Sequence, residues 1–481
     1  MAVSKTADYN LPGLDVTVND GGLRISPVVS GTKLTIVGTT TNALLPINEP
    51  VQLMDAKLIA SALDHNDGTP SELTLAVAEA IAAGARNIEI MRIASVSGED
   101  PLLYPVIDRF DDLEEALDIL KLVPVDIVHL AGAYVDEDVT GTSAYSGAAR
   151  KGFHYLLADK LYQANKQGNT AIGVLGVKPM MQVADEESWD ADVPTNRAEQ
   201  SFNEPKVAYV REWVDHLSED SGVLVDHSSE TLLSGFLNGA AETSPGVVSS
   251  SYDLYAKDTS GSTATDFLGN NVDGGQFISI VAMAARVRHP DVARLAVRVG
   301  QEGNSDMNTN GAASYAGLIT TLDPHFAPTN RIMGGVFAGR QMAAGLAEEL
   351  MEYRYVTALD RPKGYVVAAA TTAAYNASKY TRSDFVNLTT VRITHAAMDL
   401  VRLAAEEFIG GPISPLRMSA MEGAIQSSMN RLKAEGALRR ADFVILTTPD
   451  MQVLGEAQID LTLVPAFELR TVRVVTSLAK E

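Results

Sequence analysis

The period of hydrophobic and polar positions changes along the chain, and each change marks out a part. Leu34-Thr35-Ile36-Val37-Gly38 is a short apolar run of the kind that forms a buried strand. Glu72 to Ala85, rich in Ala and Leu and opened by Ser71, carries a helical period behind an N-cap signal. Asn87 to Ile93 predicts a strand, Asp111 to Leu120 an acidic helix, and Val125 to Leu130 a strand. Ala148 to Asn165 then predicts a helix and Thr170 to Val177 a strand. Strands separated by helices predict an α/β layer with parallel pairing.

Between Met180 and Gln276 the texture loosens. Val183 to Asn196 is acidic and contains Pro194, Ala198 to Leu217 predicts a polar helix, and Ser244 to Gly275 is rich in Ser, Thr, Gly, Asn and Asp. Such composition suits a protruding surface domain or insertion. Order returns with Phe277 to Ala282 as a strand, Asp291 to Gly300 as a helix, and a small-residue helix, Gly311 to Ile319, able to pack closely. A helix over Gln341 to Met351 precedes hairpin-like strands, Tyr353 to Leu359 and Gly364 to Ala370, joined by Asp360-Arg361-Pro362-Lys363. Leu388 to Ile393 leads into a long amphipathic helix that ends near Gly410-Gly411, and a second helix spans Pro415 to Gly436.

Both chain ends are extended and thin. After the turn signal Leu11-Pro12-Gly13, Leu14 to Val18 alternates, Asn19-Asp20-Gly21-Gly22 turns, and Leu23-Arg24-Ile25 resumes. At the other end Phe443 to Leu446, Ile459 to Val464 and Leu469 to Val475 predict strands. An unpaired edge is an aggregation template, so these strands need partners in their own domain or in a neighbouring copy. We expect neighbouring copies, with Leu14, Val16, Val18, Leu23 and Ile25 pairing from one arm and Leu469, Val472 and Val474 from the other. A hairpin packed on its own domain is the alternative for the first arm. The expected organisation is a mixed α/β (α+β) multi-domain protein, an α/β core with a C-terminal helix pair, β-strands and extended terminal arms. Its parts are an arm over 1–32, an α/β domain over 33–180, an acidic surface region over 181–276, a C-terminal core over 277–465 and an arm over 466–481.

Composition narrows the chemistry. A chain of 481 residues is too long for one ordinary core, and 46% hydrophobic with 21% charged residues excludes global disorder. The absence of cysteine excludes a disulfide framework, a thiol nucleophile and a thiolate metal site, and fits a reducing compartment. No apolar run of membrane-spanning length occurs, so no membrane partner is expected. The net charge of −23 is concentrated between residues 51 and 340, which sum to −21, while each flank sums to −1. An acidic middle facing solvent and near-neutral ends meeting protein fit that distribution, and nucleic acid is a poor partner for it. No glycine-rich phosphate loop, nucleophile elbow, H-E-x-x-H or calcium-loop pattern is present. Asp136-Glu137-Asp138 and Asp185-Glu186-Glu187 read as solvated loops, and His129 inside an apolar strand reads as a hydrogen-bonded core histidine. No catalytic residue, cofactor or metal site is therefore expected.

The order of elements resembles the tail sheath proteins of contractile phage tails and related contractile injection systems. The resemblance rests on Ala313-Ser314-Tyr315-Ala316-Gly317-Leu318, on Pro328-Thr329-Asn330, on Leu388 to Ile393 before a helix, and on Leu463-Val464-Pro465-Ala466-Phe467-Glu468-Leu469. Leu11 to Val16 and Leu34 to Gly38 fit the family's opening arm and first core strand, although Leu14 stands where the family often has Val followed by Tyr. The resemblance covers residues 10–93 and 277–481. It implies a structural subunit and no enzyme, one that stacks as hexameric rings in a helical sheath in the virion tail, made and assembled in the bacterial host cytoplasm. The implied partners are further copies, the inner tail tube protein, and baseplate and tail terminator proteins. Contraction would drive the tube through the host cell envelope. The family's charge-complementary tube contact would fall on the basic cluster Arg431, Lys433, Arg439 and Arg440; a solvated helix end accounts for those cations equally well. The alternatives are a sheath-like baseplate or terminator component, and an α/β enzyme with domain-swapped arms.

Overall fold

The computed structural model describes residues 32–40, 45–53, 71–93, 106–135, 153–166, 168–178, 213–214, 274–287, 307–339, 342–352, 354–374, 384–454 and 457–468. Its central sheet is built from β1 (Leu34–Gly38), β2 (Pro50–Leu53), β3 (Ile88–Arg92), β4 (Ile127–Tyr134), β5 (Ile172–Gly176), β6 (Ile278–Val281) and β10 (Tyr355–Val356), in the spatial order β10-β6-β5-β4-β1-β3-β2. All pairings are parallel except that of β2 with β3. The expected parallel α/β layer is thus present. Strands from both sides of the acidic 181–276 region share it, so the described residues of 33–180 and 277–374 have one core.

Strand alternation sends side chains to two layers. In β1, Val37 faces one layer while Leu34 and Ile36 face the other; in β4, Val128 and Leu130 oppose Ile127 and Ala131. The first layer is covered by α2 (Val106–Leu120), α3 (Phe153–Lys166) and α5 (Ala344–Glu352). The second is covered by α1 (Glu72–Ala82) and α4 (Ala312–Thr320). Ser71 caps α1, its hydroxyl accepting from the Thr74 N–H. The close approach of α1 and α4 depends on Gly317, since a Cβ there would stand 2.5 Å from the Ala80 carbonyl oxygen. Beside this layer, β7 (Ala285–Val287) lies between β8 (Met307–Thr309) and β9 (Val336–Ala338), and β11 (Ala358–Arg361) pairs with β12 (Gly364–Val367).

A separate C-terminal unit consists of α6 (Leu388–Glu406), α7 (Pro415–Ala434), β13 (Leu438–Leu446), α8 (Pro449–Leu454) and β14 (Gln458–Pro465). Its core is made by Ala397 and Val401 of α6, Met421, Ile425, Met429 and Leu432 of α7, and Ala441 of β13. Helix α6 belongs to both bodies, because Leu388 and Val391 pack in the second layer of the α/β core.

Three elements refine the expectation. Leu388 to Ile393, expected to lead into the long helix, is already its first turn and a half, with burial of its β-branched residues in the core outweighing their local strand preference. Tyr355 and Val356, both fully buried, leave the expected hairpin to pair with β6, so the hairpin begins only at Ala358. The first closing strand starts at Leu438, five residues before Phe443. The expected helix over Asp291 to Gly300 lies outside the described residues.

Candidate interaction site

Strands β13 and β14 form a two-stranded antiparallel sheet whose outer edges are both unpaired among the described residues. Its inner face pairs Ala441 with Leu463, Phe443 with Leu461 and Ile445 with Ile459, and these side chains rest on α6 and α7. The outer face carries Asp442 opposite Thr462, Val444 opposite Asp460 and Leu446 opposite Gln458. Val444 is 56% exposed and Leu446 40%, so apolar area remains on that face. A two-stranded ribbon is marginal alone; here the helix pair supports it, and no third described strand lies on either edge.

The unit is fixed to the edge of the sheet where the parallel strands begin. Buried Arg392 of α6 donates from Nη1 to the Asp323 carbonyl (3.3 Å) and the Phe326 carbonyl (3.4 Å). Its Nη2 donates to the Ile319 (3.2 Å) and Leu322 (2.5 Å) carbonyls, which closes the C-terminal end of α4. Burial lowers the Arg392 pKa to about 10, and the guanidinium remains charged at neutral pH. One helical segment further on, the Thr170 hydroxyl donates to Asp399 Oδ2 (2.5 Å), and Arg402 donates to the Gly168 carbonyl (2.6 Å) and pairs with Asp399 (3.3 Å). Burial pushes the Asp399 carboxyl up.

Both ends of the described chain meet this edge. The Lys33 N–H donates to Asp126 Oδ2 at 2.7 Å, immediately before β4. At the other end the Ala466 N–H donates to the Ala437 carbonyl at 2.9 Å, and the Glu468 charge bears on the buried Tyr315 hydroxyl. The arm positions Leu14, Val16, Val18, Leu23, Ile25, Leu469, Val472 and Val474 lie outside the described residues.

The four basic residues fall at one end of the unit. Arg431 and Lys433 occupy the last turn of α7, and Arg439 and Arg440 open β13 after Gly436, whose φ of 82° is the left-handed conformation of a helix C-terminal turn. Arg431 pairs with Glu435 at 3.1 Å, Arg440 with Asp442 at 2.5 Å, and Lys433 donates to the Ala441 carbonyl at 3.2 Å. Arg439 is exposed and has no ion pair with another described residue.

A cleft of about 210 Å³ lies at the opposite edge of the sheet, lined by Glu72, Glu79, His129, Tyr134, Thr309 and Asn310 among others. Two of its titratable groups, Glu79 and His129, serve the fold. Glu79 accepts from the Thr309 hydroxyl (2.6 Å), the Ser314 N–H (3.0 Å) and the Ser314 hydroxyl (2.9 Å), so it caps α4 from across the helix interface. Burial pushes its carboxyl pKa up, and the three donors oppose that shift. His129 Nδ1 bonds the Val174 carbonyl at 2.9 Å, as expected of a core histidine, and burial lowers its pKa to about 4. Among the described residues no group of three His, Asp or Glu could hold a metal ion. Glu79 was not singled out from the sequence; its signal is one acidic residue on the apolar face of Leu73 to Ile81.

No protein-family model and no curated protein matches the chain. Solved structures do. The chain is similar over 98% of its length to 100% of a chain of the anti-feeding prophage (AFP) baseplate, with a TM-score of 0.55 and 11% identity. Over 99% of its length it is similar to 98% of a chain of the sheath complex of the extracellular contractile injection system PVC in its contracted state, with a TM-score of 0.53 and 11% identity. Over 98% it is similar to 99% of a chain of the contracted AFP helical sheath, with a TM-score of 0.51 and 12% identity. The chain therefore has the fold of contractile-system sheath proteins, and that likeness extends along nearly its whole length.

Proposed function

We propose that this protein is the structural subunit of a contractile sheath, joined to neighbouring copies by strand addition at the β13–β14 ribbon. The observation that carries the reading is the pair of ribbon edges, unpaired among the described residues and held on a helical support at the sheet edge that both ends of the described chain meet. Terminal arms from neighbouring copies are the strands those edges accept. Each added main-chain hydrogen bond contributes about 0.5–1.5 kcal/mol net, so a strand of some eight residues contributes on the order of 4–12 kcal/mol before ordering costs. A joint of that kind persists while the bodies it links rotate and repack. In this reading copies stack as hexameric rings around an inner tube, and contraction drives the tube through the host envelope, with no bound nucleotide. The PVC and AFP sheath structures, both in contracted states, support it.

Arg431, Lys433, Arg439 and Arg440 are proposed to face the tube, with Arg439 supplying the charge that no described residue offsets. The baseplate and terminator proteins would meet the ends of the sheath, in a virion-type tail assembled in the bacterial cytoplasm. A second reading, a sheath-like baseplate component, is favoured by the likeness to a chain of the AFP baseplate. Sedimentation and negative-stain microscopy of the purified chain separate the two: a sheath subunit gives long tubes, a baseplate component gives single rings or none. A pocket-dependent turnover of any small molecule would support an enzyme instead.

A further inference from the structure

Two surfaces expose several large apolar side chains. At the turn between α6 and α7, Leu416 is 82% exposed, Ile409 80% and Leu403 55%, and Ile413 is also exposed. Glu406 and Glu407 lie exposed beside them; Arg402 is offset by Asp399, while Arg417, over the Phe408 ring at 5.9 Å, keeps its charge, so the margin carries one net negative charge. This tip is apolar with an acidic margin. On the α/β core, Phe326 is 43% exposed and Ile332 48%, and the Arg331 guanidinium stands 5.8 Å from the Phe326 ring centroid. Ile332 bridges to Val366 of β12, and the β11–β12 turn brings exposed Arg361 and Lys363 to the same surface. Asp323 and Asp360 are nearby, so the three cations leave a modest positive excess on an apolar floor.

The surfaces match in kind and are opposite in charge. They cannot meet within one molecule, because Phe326 is held beside Arg392 near the start of α6 whereas the tip follows its end, about 20 Å away at 1.5 Å per helical residue. We propose that the α6–α7 tip of one copy docks on the Phe326–Ile332 surface of a second copy. The contact is heterologous, so each bound copy presents a fresh tip and a fresh floor, and the series stays open as a stacked or helical assembly requires. Apolar contact at Leu416 and Ile409 supplies the attraction, while Glu406 and Glu407 facing Arg331, Arg361 and Lys363 set the register. This inference rests on the sheath reading and adds a body-to-body contact distinct from the strand joint.

The chain contains no cysteine, which makes the test direct. The full-length Leu416→Cys/Ile332→Cys variant, assembled and treated with a short bis-maleimide crosslinker, should give a ladder of covalent multimers. Each single variant should give nothing beyond a dimer. Separately, Glu406→Arg/Glu407→Arg and Arg331→Glu/Arg361→Glu should each raise the concentration needed for assembly about tenfold, and the two pairs combined should restore it. Assemblies in which the double-cysteine chain crosslinks no further than the single variants overturn this contact alone. Failure of the unaltered chain to assemble overturns the sheath reading and this contact with it.

Discussion

Arg392 provides the most specific perturbation, because one side chain closes α4 and fastens the helix that carries the ribbon. It is only 5% exposed, and its guanidinium serves the carbonyls of Ile319, Leu322, Asp323 and Phe326. A hydrogen bond involving a charged group is worth about 1.5–3 kcal/mol, but the four are not additive and burial of the cation offsets part of them. Arg392→Met keeps the aliphatic stem and removes every donor, leaving the end of α4 without its partners; a loss of about 3–5 kcal/mol is expected. Arg392→Lys keeps a charge but replaces the planar fork with a single ammonium, and should fall between parent and Met. Urea unfolding of arm-deleted, unassembled chains measures the loss, and amide exchange locates it: protection should fall in α6 and the α4 end before it falls in α2 and α3. A Met variant within about 0.5 kcal/mol of the parent, with α6 protection unchanged, would refute the idea that this contact joins the two bodies.

Two further perturbations test the buried polar groups. Glu79→Ala leaves Thr309 and two Ser314 donors without their acceptor and should cost about 3–5 kcal/mol, whereas Glu79→Gln keeps the shape and an acceptor and should stay within about 1 kcal/mol of the parent at neutral pH; equal losses in thermal unfolding would contradict the capping role. His129 and His395 are buried neutral, each with a pKa lowered by burial from 6.5 to about 4. The unfolded chain therefore binds their protons first, and the stability they lend is complete above pH 6.5 and is lost as pH falls toward 4, by about 3 kcal/mol each. Asp159, raised by burial to about 6, works in the opposite direction over the same window, so the comparison that matters is parent against a His395→Gln variant, whose melting temperature should fall less between pH 6.5 and 4.5.

Local pattern revealed the parts whose structure is decided locally. The strand at Leu34 to Gly38, the Ser71-capped helix and the close-packed helix around Gly317 follow from periodicity, cap chemistry and small side chains. Pairing across long separations was not legible, because the affinity of β5 for β6 and of β6 for β10 depends on which buried edge is vacant once the layers form. Leu388 to Ile393 shows the same limit, with burial choosing helix for a stretch whose residues favour strands elsewhere. For the candidate site, the strands at Phe443 and Ile459 were visible, whereas their support was not: Arg392, the Thr170–Asp399 contact and the Arg402–Gly168 contact join residues up to 234 apart in the chain. The basic cluster was visible as composition, but only the geometry separates Arg439 from three neighbours already engaged.

Strand sharing between copies is tested most directly by negative-stain microscopy of the full-length chain beside versions lacking residues 1–25 or 469–481. Tubes from the intact chain, with folded, dispersed monomers from either deletion, are the expected result. Tubes that persist without the arms, or an intact chain that stays monomeric at every concentration, would contradict it.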